Sequence, residues 1–175
     1  MQSVKIVVTG PFNAGKTTFI KSVSEITVLS TERQISDTSG EGEGETTVAM
    51  DFGRITVSDD VVLYLFGTPG QSRFSFMWET LSEGMLGFVL LVDASDTDSF
   101  EDARQMIGFF TEMSDVPYVI AANKVDGDDE DGLARVREQL DLSEDAPLIP
   151  VNARSRDSVK DVLLGLLYEI LETMA

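Results

Sequence analysis

Short runs of apolar, mostly β-branched residues alternate with amphipathic stretches along the whole chain of 175 residues. An apolar run of about four to eight residues is typical of a strand covered on both faces, whereas apolar residues at helical spacing predict a helix. Strands are therefore predicted at residues 4–8, 61–66, 87–92, 118–122 and 148–151. Helices are predicted at residues 18–24, 74–84, 99–110, 133–140 and 158–171. This alternation predicts an α/β protein.

The segment between the first helix and the second apolar strand has two different patterns. Residues 47–57 alternate apolar and polar positions and, with the turn at 58–60, predict an antiparallel hairpin with the strand 61–66. Residues 25–46 lose this periodicity, and 36–45 read SDTSGEGEGE. We expect residues 25–46 to form a mobile loop, which suits a switch that closes over a ligand next to the first helix.

Residues 10–17 read Gly-Pro-Phe-Asn-Ala-Gly-Lys-Thr and match the phosphate-binding pattern G-x-x-x-x-G-K-[S/T] at every fixed position. They lie between a predicted strand and a predicted helix, as the pattern requires. Backbone N–H groups at a helix N-terminus bind phosphate, Lys16 adds positive charge, and the Thr17 hydroxyl can bind Mg²⁺. The alternative is a glycine turn with an incidental lysine. The predicted phosphate-binding residues are Gly10, Asn13, Ala14, Gly15, Lys16, Thr17 and Thr18.

The predicted strand 118–122 leads into Asn123-Lys124-Val125-Asp126. A carboxylate at Asp126 can accept from both N1–H and the 2-amino group of guanine, whereas adenine presents an acceptor at N1 and no donor at C2. Asp126 would therefore select GTP over ATP. Lys124 can lay its aliphatic stem along the base, and Asn123 can brace the neighbouring loops. The alternative is a polar turn between a strand and a helix.

The strand 61–66 ends in Gly67-Thr68-Pro69-Gly70-Gln71. Ligands of open α/β sheets lie at the carboxyl ends of the strands, so we expect Gly70 and Gln71 near the same phosphates. The next helix carries Trp78 and two phenylalanines. We expect most of these rings to pack inward, and a partner-binding patch is the alternative.

The composition excludes several classes of function. A net charge of -18, from 13 Lys and Arg against 31 Asp and Glu, argues against nucleic-acid binding. The chain has no Cys and no His, which excludes disulfides and cysteine-ligated metals and removes the usual zinc ligand. No apolar run approaches the roughly 18 residues of a membrane span, and no standard lipid-anchor signal is present. We therefore expect one cytoplasmic domain over residues 1–175 without direct membrane insertion, a monomer or weak dimer.

The motifs, in this order, resemble those of the Ras-like small GTPases over essentially the whole chain. Thr47 resembles the switch I threonine, residues 67–71 the D-x-x-G-Q element, and residues 152–154 the S-A-K loop. Residues 49–54 and 65–71 are most similar to prokaryotic small GTPases of the MglA and conservon types. The resemblance implies a three-layer P-loop NTPase domain. Its sheet would be mixed and six-stranded, with one antiparallel strand and about five flanking helices.

The resemblance also implies a guanine-nucleotide switch that binds GTP or GDP with Mg²⁺, hydrolyses GTP slowly and acts on regulatory and effector proteins, roadblock-type partners among them. Gln71 would orient the attacking water, Lys16 would neutralise charge, and Arg73 is favoured over Arg33 as the catalytic arginine. Mg²⁺ would be held by Thr17, Thr47 and Asp51. A GTP-binding module with negligible hydrolysis is the alternative, and an ATPase is disfavoured by Asp126. The implied nucleotide contacts beyond the phosphate loop are Gly70, Asn123, Lys124, Asp126, Asn152, Ala153 and Arg154.

Three positions depart from the family pattern. Gly67 stands where the family has the acid that holds Mg²⁺ through water, Phe12 where many relatives have glycine, and Glu45-Thr46 where the MglA group has an arginine. All three bear on turnover more than on nucleotide binding. Asp51 is the predicted substitute for the missing acid, because the strands that carry Asp51 and Gly67 should pair in the hairpin. The alternative is that Asp51 pairs with Arg54 or is solvated.

Overall fold

The computed structural model describes residues 1–37, 44–71, 74–125 and 131–174, with the backbone alone for residues 30–37 and 44–49. Strands and helices alternate along most of this chain, as the apolar pattern predicts. The strands are β1 (Gln2–Thr9), β2 (Leu29–Asp37), β3 (Gly44–Thr56), β4 (Val61–Gly67), β5 (Gly87–Asp93), β6 (Tyr118–Asn123) and β7 (Leu148–Val151). The α-helices are α1 (Lys16–Val23), α2 (Ser75–Leu81), α3 (Phe100–Met113), α4 (Gly132–Gln139) and α5 (Arg156–Met174).

The strands form one mixed sheet in the order β2-β3-β4-β1-β5-β6-β7. The strands β4, β1, β5, β6 and β7 pair in parallel, and β3 is antiparallel to both of its neighbours. Among the described strands, β3 is therefore the single one that runs against the others. The predicted α/β architecture, with one antiparallel strand and five helices, is confirmed.

The strand β2 corrects the prediction of a loop over residues 25–46. Its backbone pairs with β3 from Leu29 opposite Phe52 to Asp37 opposite Gly44, which adds a seventh strand to the six expected. A ladder of backbone hydrogen bonds needs no apolar side chains, so a polar edge strand leaves no periodicity to find in the sequence. Of the polar run 36–45, residues 38–43 lie outside the described part of the chain.

Helices cover the sheet on both faces and give three layers. The helices α1 and α5 pack on one face against β1 side chains such as Val4, Ile6 and Val8. The other face, which includes Val7, is covered by α2, α3 and α4. Successive side chains of a strand point to opposite faces, so one apolar strand supplies both cores. The carboxyl ends of the strands stay free of this packing and hold the site described below.

The start of α5 differs from the predicted start at residue 158. The helix begins at Arg156, and the backbone N–H of Ser158 donates to Ser155 Oγ at 3.2 Å. Ser155 is therefore the capping residue. The Ser158 hydroxyl lies inside the first turn and accepts from the backbone N–H of Asn152 at 2.9 Å, which ties α5 to the preceding loop.

Candidate functional site

A cavity of about 920 Å³ opens at the carboxyl ends of the strands. Five separate segments of the chain line it: residues 12–13 with 15–18, Asp51, residues 68–71 with Phe74, and the two loops after β6 and β7. Of the predicted site residues, the cavity brings together Asn13, Gly15, Lys16, Thr17, Thr18, Asp51, Gly70, Gln71, Asn123, Lys124, Asn152, Ala153 and Arg154. A binding site built at this place agrees with the general position of ligands in α/β sheets.

The loop between β1 and α1 takes its shape from two glycines with positive φ, 147° at Gly10 and 106° at Gly15. A Cβ atom at Gly10 would lie 2.1 Å from the carbonyl oxygen of Leu91, and one at Gly15 would lie 2.8 Å from Asn123 Nδ2. Glycine is therefore required at both positions by conformation and by space. At Gly15 the first obstacle to a side chain is Asn123.

The Lys16 ammonium group folds back over this loop. Its Nζ donates to the carbonyl oxygens of Gly10 at 2.6 Å and Pro11 at 2.7 Å. Burial lowers the pKa of Lys16 from 10.5 to about 8, and the negative charge of Asp51 opposes part of that shift. A cation held by two neutral carbonyl oxygens is poorly compensated, so an anionic ligand would gain strongly from it.

Asn123 joins the phosphate loop to the loop after β7. Its Nδ2 donates to the carbonyl oxygen of Ala14 at 3.2 Å, and its Oδ1 accepts from the backbone N–H of Ala153 at 3.2 Å. Ala153 also accepts a hydrogen bond from the Ser22 hydroxyl of α1. The predicted bracing role of Asn123 is confirmed, because one buried side chain holds both loops in a fixed relation.

Asp93, at the end of β5, is a site residue that the sequence analysis missed. Its Oδ2 accepts from Lys124 Nζ at 3.0 Å, and its Oδ1 accepts from the backbone N–H and hydroxyl of Ser95. Burial raises the pKa of the Asp93 carboxyl group, but these hydrogen bonds outweigh it and leave the pKa below its usual value. The sequence did carry a signal for this residue, because Asp93 is a single acidic residue at the end of a fully apolar strand. Asp93 fixes where the Lys124 side chain lies.

Asp51 lies beside Gly67, as the sequence predicted. The two residues pair across β3 and β4, and a Cβ atom at Gly67 would lie 3.3 Å from the Asp51 Cβ. The Thr17 hydroxyl donates to Asp51 Oδ2 at 2.5 Å. Arg54, named as an alternative partner of Asp51, has its Nε 3.2 Å from Glu25 Oε1. The missing side chain of Gly67 thus makes the space that the Asp51 carboxylate occupies next to Thr17.

The rings of α2 and the residue before it divide between core and surface. Phe74 and Trp78 are buried, as expected, whereas the Phe76 side chain is 61% exposed. Phe12 of the phosphate loop is also 58% exposed at the mouth of the cavity.

Several predicted site residues lie outside what the structure describes. Asp126 and Arg73 fall in the undescribed segments 126–130 and 72–73, and the side chains of Arg33 and Thr47 are not described. Within the described ranges, no group of three or more acidic side chains is placed to hold a metal ion. No helix among these residues is long and apolar enough to cross a membrane.

Comparison with known proteins places the chain in a family. Residues 28–173 match a family described as "Conserved hypothetical ATP binding protein". The chain belongs to this family. The "Uncharacterized protein MJ1339" of Methanocaldococcus jannaschii is 34% identical over 128 residues, which cover 73% of the chain and 74% of that relative.

Two members of another group are more distant relatives. ADP-ribosylation factor-like protein 3 of Saccharomyces cerevisiae is 25% identical over 171 residues, which cover 93% of the chain and 83% of that protein. ADP-ribosylation factor-like protein 8c of Arabidopsis thaliana is 26% identical over 129 residues, 71% of the chain and 62% of that protein. The family and these relatives support a small-GTPase-like, nucleotide-binding chain. Similarity to the MglA and conservon types stays a prediction.

Proposed function

We propose that this protein is a guanine-nucleotide switch that binds GTP and GDP with Mg²⁺ and hydrolyses GTP slowly. The observation that carries the proposal is the bridge made by Asn123, which holds the phosphate loop and the 152–154 loop around one cavity. Such an arrangement sets a phosphate site and a base site at a fixed distance. Lys16 supplies the positive charge at the phosphate end. Lys124, whose ammonium group donates to Asp93, would serve the base end.

The choice of guanine rests on Asp126. A carboxylate at residue 126 pairs with two guanine donors that adenine lacks. The family description names ATP, so binding of ATP is the competing function. Titration with each nucleotide separates the two directly.

The oxygen ligands at the phosphate end fit Mg²⁺. Thr17 and Asp51 bring a hydroxyl and a carboxylate together at 2.5 Å inside the cavity, and Mg²⁺ prefers oxygen ligands of this kind with several waters. Thr17 and Thr47 would hold the ion directly, and Asp51 would act through a water in place of an acid at Gly67. The bound ion supplies charge neutralisation for the phosphates.

Hydrolysis would depend on Gln71, which lines the cavity one residue after Gly70. Gln71 would orient the attacking water, and Arg73, two residues later in the sequence, would add positive charge from the same chain. Partners of the switch, including regulators, effectors and roadblock-type proteins, would meet it in the cytoplasm. The second candidate is a GTP-binding interaction module with negligible hydrolysis, which the Gly67 departure favours.

The proposal is tested by equilibrium titration of the purified protein with GTP, GDP and ATP in the presence of MgCl₂. We expect both guanine nucleotides to bind at least about 100-fold more tightly than ATP. Lys16→Ala should abolish binding, and Lys21→Ala, which removes an exposed lysine of the same helix, should not change it. Preferential binding of ATP would reject guanine specificity. Phosphate release in a single turnover then separates the switch from the module without hydrolysis.

A further inference from the structure

Two buried hydrogen bonds hold the segment after β4. The Thr68 hydroxyl donates to Thr9 Oγ1 at 2.8 Å, and Trp78 Nε1 donates to the carbonyl oxygen of Pro69 at 2.8 Å. Thr9, Thr68 and Trp78 are all buried. A buried polar group without a partner is costly, so each of these bonds strongly favours one position of the backbone.

Gly70 follows this held segment and lies directly against the phosphate loop. A Cβ atom at Gly70 would lie 2.5 Å from the backbone nitrogen of Phe12 and 2.8 Å from Lys16 Nζ. The Gly70 peptide therefore forms a wall of the phosphate end of the site. A shift of a fraction of an ångström at this wall changes the room beside Lys16.

Behind Gly70 the protein is less closely packed. A second cavity of about 200 Å³ lies between Gly70, α2 and α3. Where this cavity borders Gly70, no packed side chain among the described residues holds the Gly70 backbone in place. Trp78 also lines this cavity, and its indole N–H donates to Pro69, one residue before Gly70. The cavity is lined by Gly70, Ser75, Trp78, Asp102, Gln105, Met106 and Phe109.

We propose that Trp78 is a positioning residue for the phosphate site. Its indole N–H holds the Pro69 carbonyl and so keeps the Gly70 peptide against Phe12 and Lys16. Because Gly70 borders the phosphate end and not the base end, this bond sets how well the site accepts a triphosphate relative to a diphosphate. The inference rests on the proposed guanine-nucleotide binding and adds a residue that touches no part of the nucleotide.

The test removes the indole N–H and keeps the ring. Trp78 is the single tryptophan of the chain, so an analogue can be placed there without other changes. With β-(3-benzothienyl)alanine at position 78, which has sulfur in place of N–H, we expect GTP binding to weaken by about tenfold and GDP binding to stay within about twofold, since one buried hydrogen bond is worth about that much. Trp78→Phe should act in the same direction. Incorporation of 4-fluorotryptophan, which keeps the N–H, should restore the parent ratio of GTP to GDP affinity.

Phe109→Leu serves as the packing control. The Phe109 ring meets the Trp78 ring edge-on, with centroids 5.3 Å apart, and makes no hydrogen bond to Pro69. This variant should lower the unfolding temperature and leave the GTP to GDP ratio unchanged. If the sulfur analogue keeps the parent ratio while both nucleotides bind, the positioning role is wrong and the proposed function stands. If the parent protein binds neither nucleotide, the proposed function fails and this inference fails with it.

Discussion

The Lys16 ammonium group shows how a single residue prepares the site. It is held by the carbonyl oxygens of Gly10 and Pro11, and burial lowers its pKa to about 8. A bound anion favours the charged form, so ligand binding should raise this pKa again. Nucleotide binding is therefore expected to be coupled to proton uptake by Lys16 above pH 8.

The coupling predicts a pH dependence of affinity. Below pH 8 Lys16 is already charged, and affinity should be constant once the phosphates are ionised. Above pH 8 the free protein loses the Lys16 proton, so the dissociation constant for GDP should rise toward about tenfold per pH unit. Titrations from pH 7.5 to 9.5 measure this slope. Lys16→Arg stays charged throughout and should give a weaker slope, and an equal slope in both proteins would refute the assignment to Lys16.

We predict that Asp126 determines which nucleotide base the protein binds. The change Asp126→Asn replaces an acceptor of two guanine donors by an amide, so GTP should bind far more weakly. Xanthosine triphosphate should then bind better than GTP, because its 2-oxo group can accept from the new amide. Competition between the two nucleotides measures the switch of specificity. Equal GTP affinity in the variant and the parent would contradict the role given to Asp126.

We predict that Asp51 controls how strongly nucleotide release depends on Mg²⁺. Its carboxylate accepts from Thr17 beside Gly67, so Asp51→Ala should weaken the retention of Mg²⁺ and speed GDP dissociation at low MgCl₂ by about 10- to 100-fold. The release rate is followed while Mg²⁺ is titrated. Asp59→Ala, in the exposed turn of the same hairpin, should behave as the parent. An unchanged Mg²⁺ dependence in Asp51→Ala would mean that the ion is held in another way.

At the scale of elements, β3 is placed by close contact with α1. A Cβ atom at Gly53 would lie 2.6 Å from Ile20 Cγ2 and 3.1 Å from the Ser24 Cβ. The Ser24 hydroxyl also accepts from the backbone N–H of Arg54 at 3.1 Å. These contacts set the distance between β3 and α1 and thereby bring Asp51 to Thr17.

The close contact predicts opposite effects of two glycine substitutions. Gly53→Ala forces Ile20 or the strand to move and should cost about 1–3 kcal/mol of unfolding free energy. In Gly108→Ala, within α3, the new Cβ meets no atom within 4 Å, and the helix should gain up to about 1 kcal/mol. Chemical denaturation measures both. If Gly53→Ala left the free energy of unfolding unchanged, the contact between α1 and β3 would be able to relax without cost.

At the scale of the whole molecule, the site works against the net charge of the chain. The net charge of -18 opposes the approach of a nucleotide, whereas the cations Lys16 and Lys124 both line the cavity. Local charge at short range outweighs distant charge, because exposed charges are screened within about 10 Å at ordinary ionic strength. Nucleotide affinity should therefore depend on these lysines more than on the surface.

We also predict that the protein hydrolyses GTP slowly when no partner is present. A catalytic arginine is typically worth about 10³ to 10⁵ in kcat, and Arg33 and Arg73 are the candidates within the chain. We expect intrinsic hydrolysis well below one turnover per second, measured as phosphate release. Arg73→Ala should lower it further, with Arg33→Ala as the comparison. Turnover at several per second that neither substitution changes would overturn this account of catalysis.

The sequence by itself determined the elements whose signal is local. The phosphate loop 10–17 has a pattern of eight consecutive residues, and the apolar strands and α5 carry periodicities that only burial explains. The mixed sheet with one antiparallel strand was implied by the family resemblance that the order of the motifs carries. The pairing of Asp51 with Gly67 was also predictable, because a short turn leaves the hairpin little freedom of register.

Only the tertiary structure decided the features that depend on distant partners. The strand β2 exists through backbone pairing with β3, Asp93 matters because Lys124 reaches it, and Trp78 meets Pro69 because the chain turns back after β4. A hydrogen bond between residues far apart leaves no periodic trace in the sequence, since any polar residue can supply its donor or acceptor. The contacts that shape the site became visible only when the fold had brought their partners together.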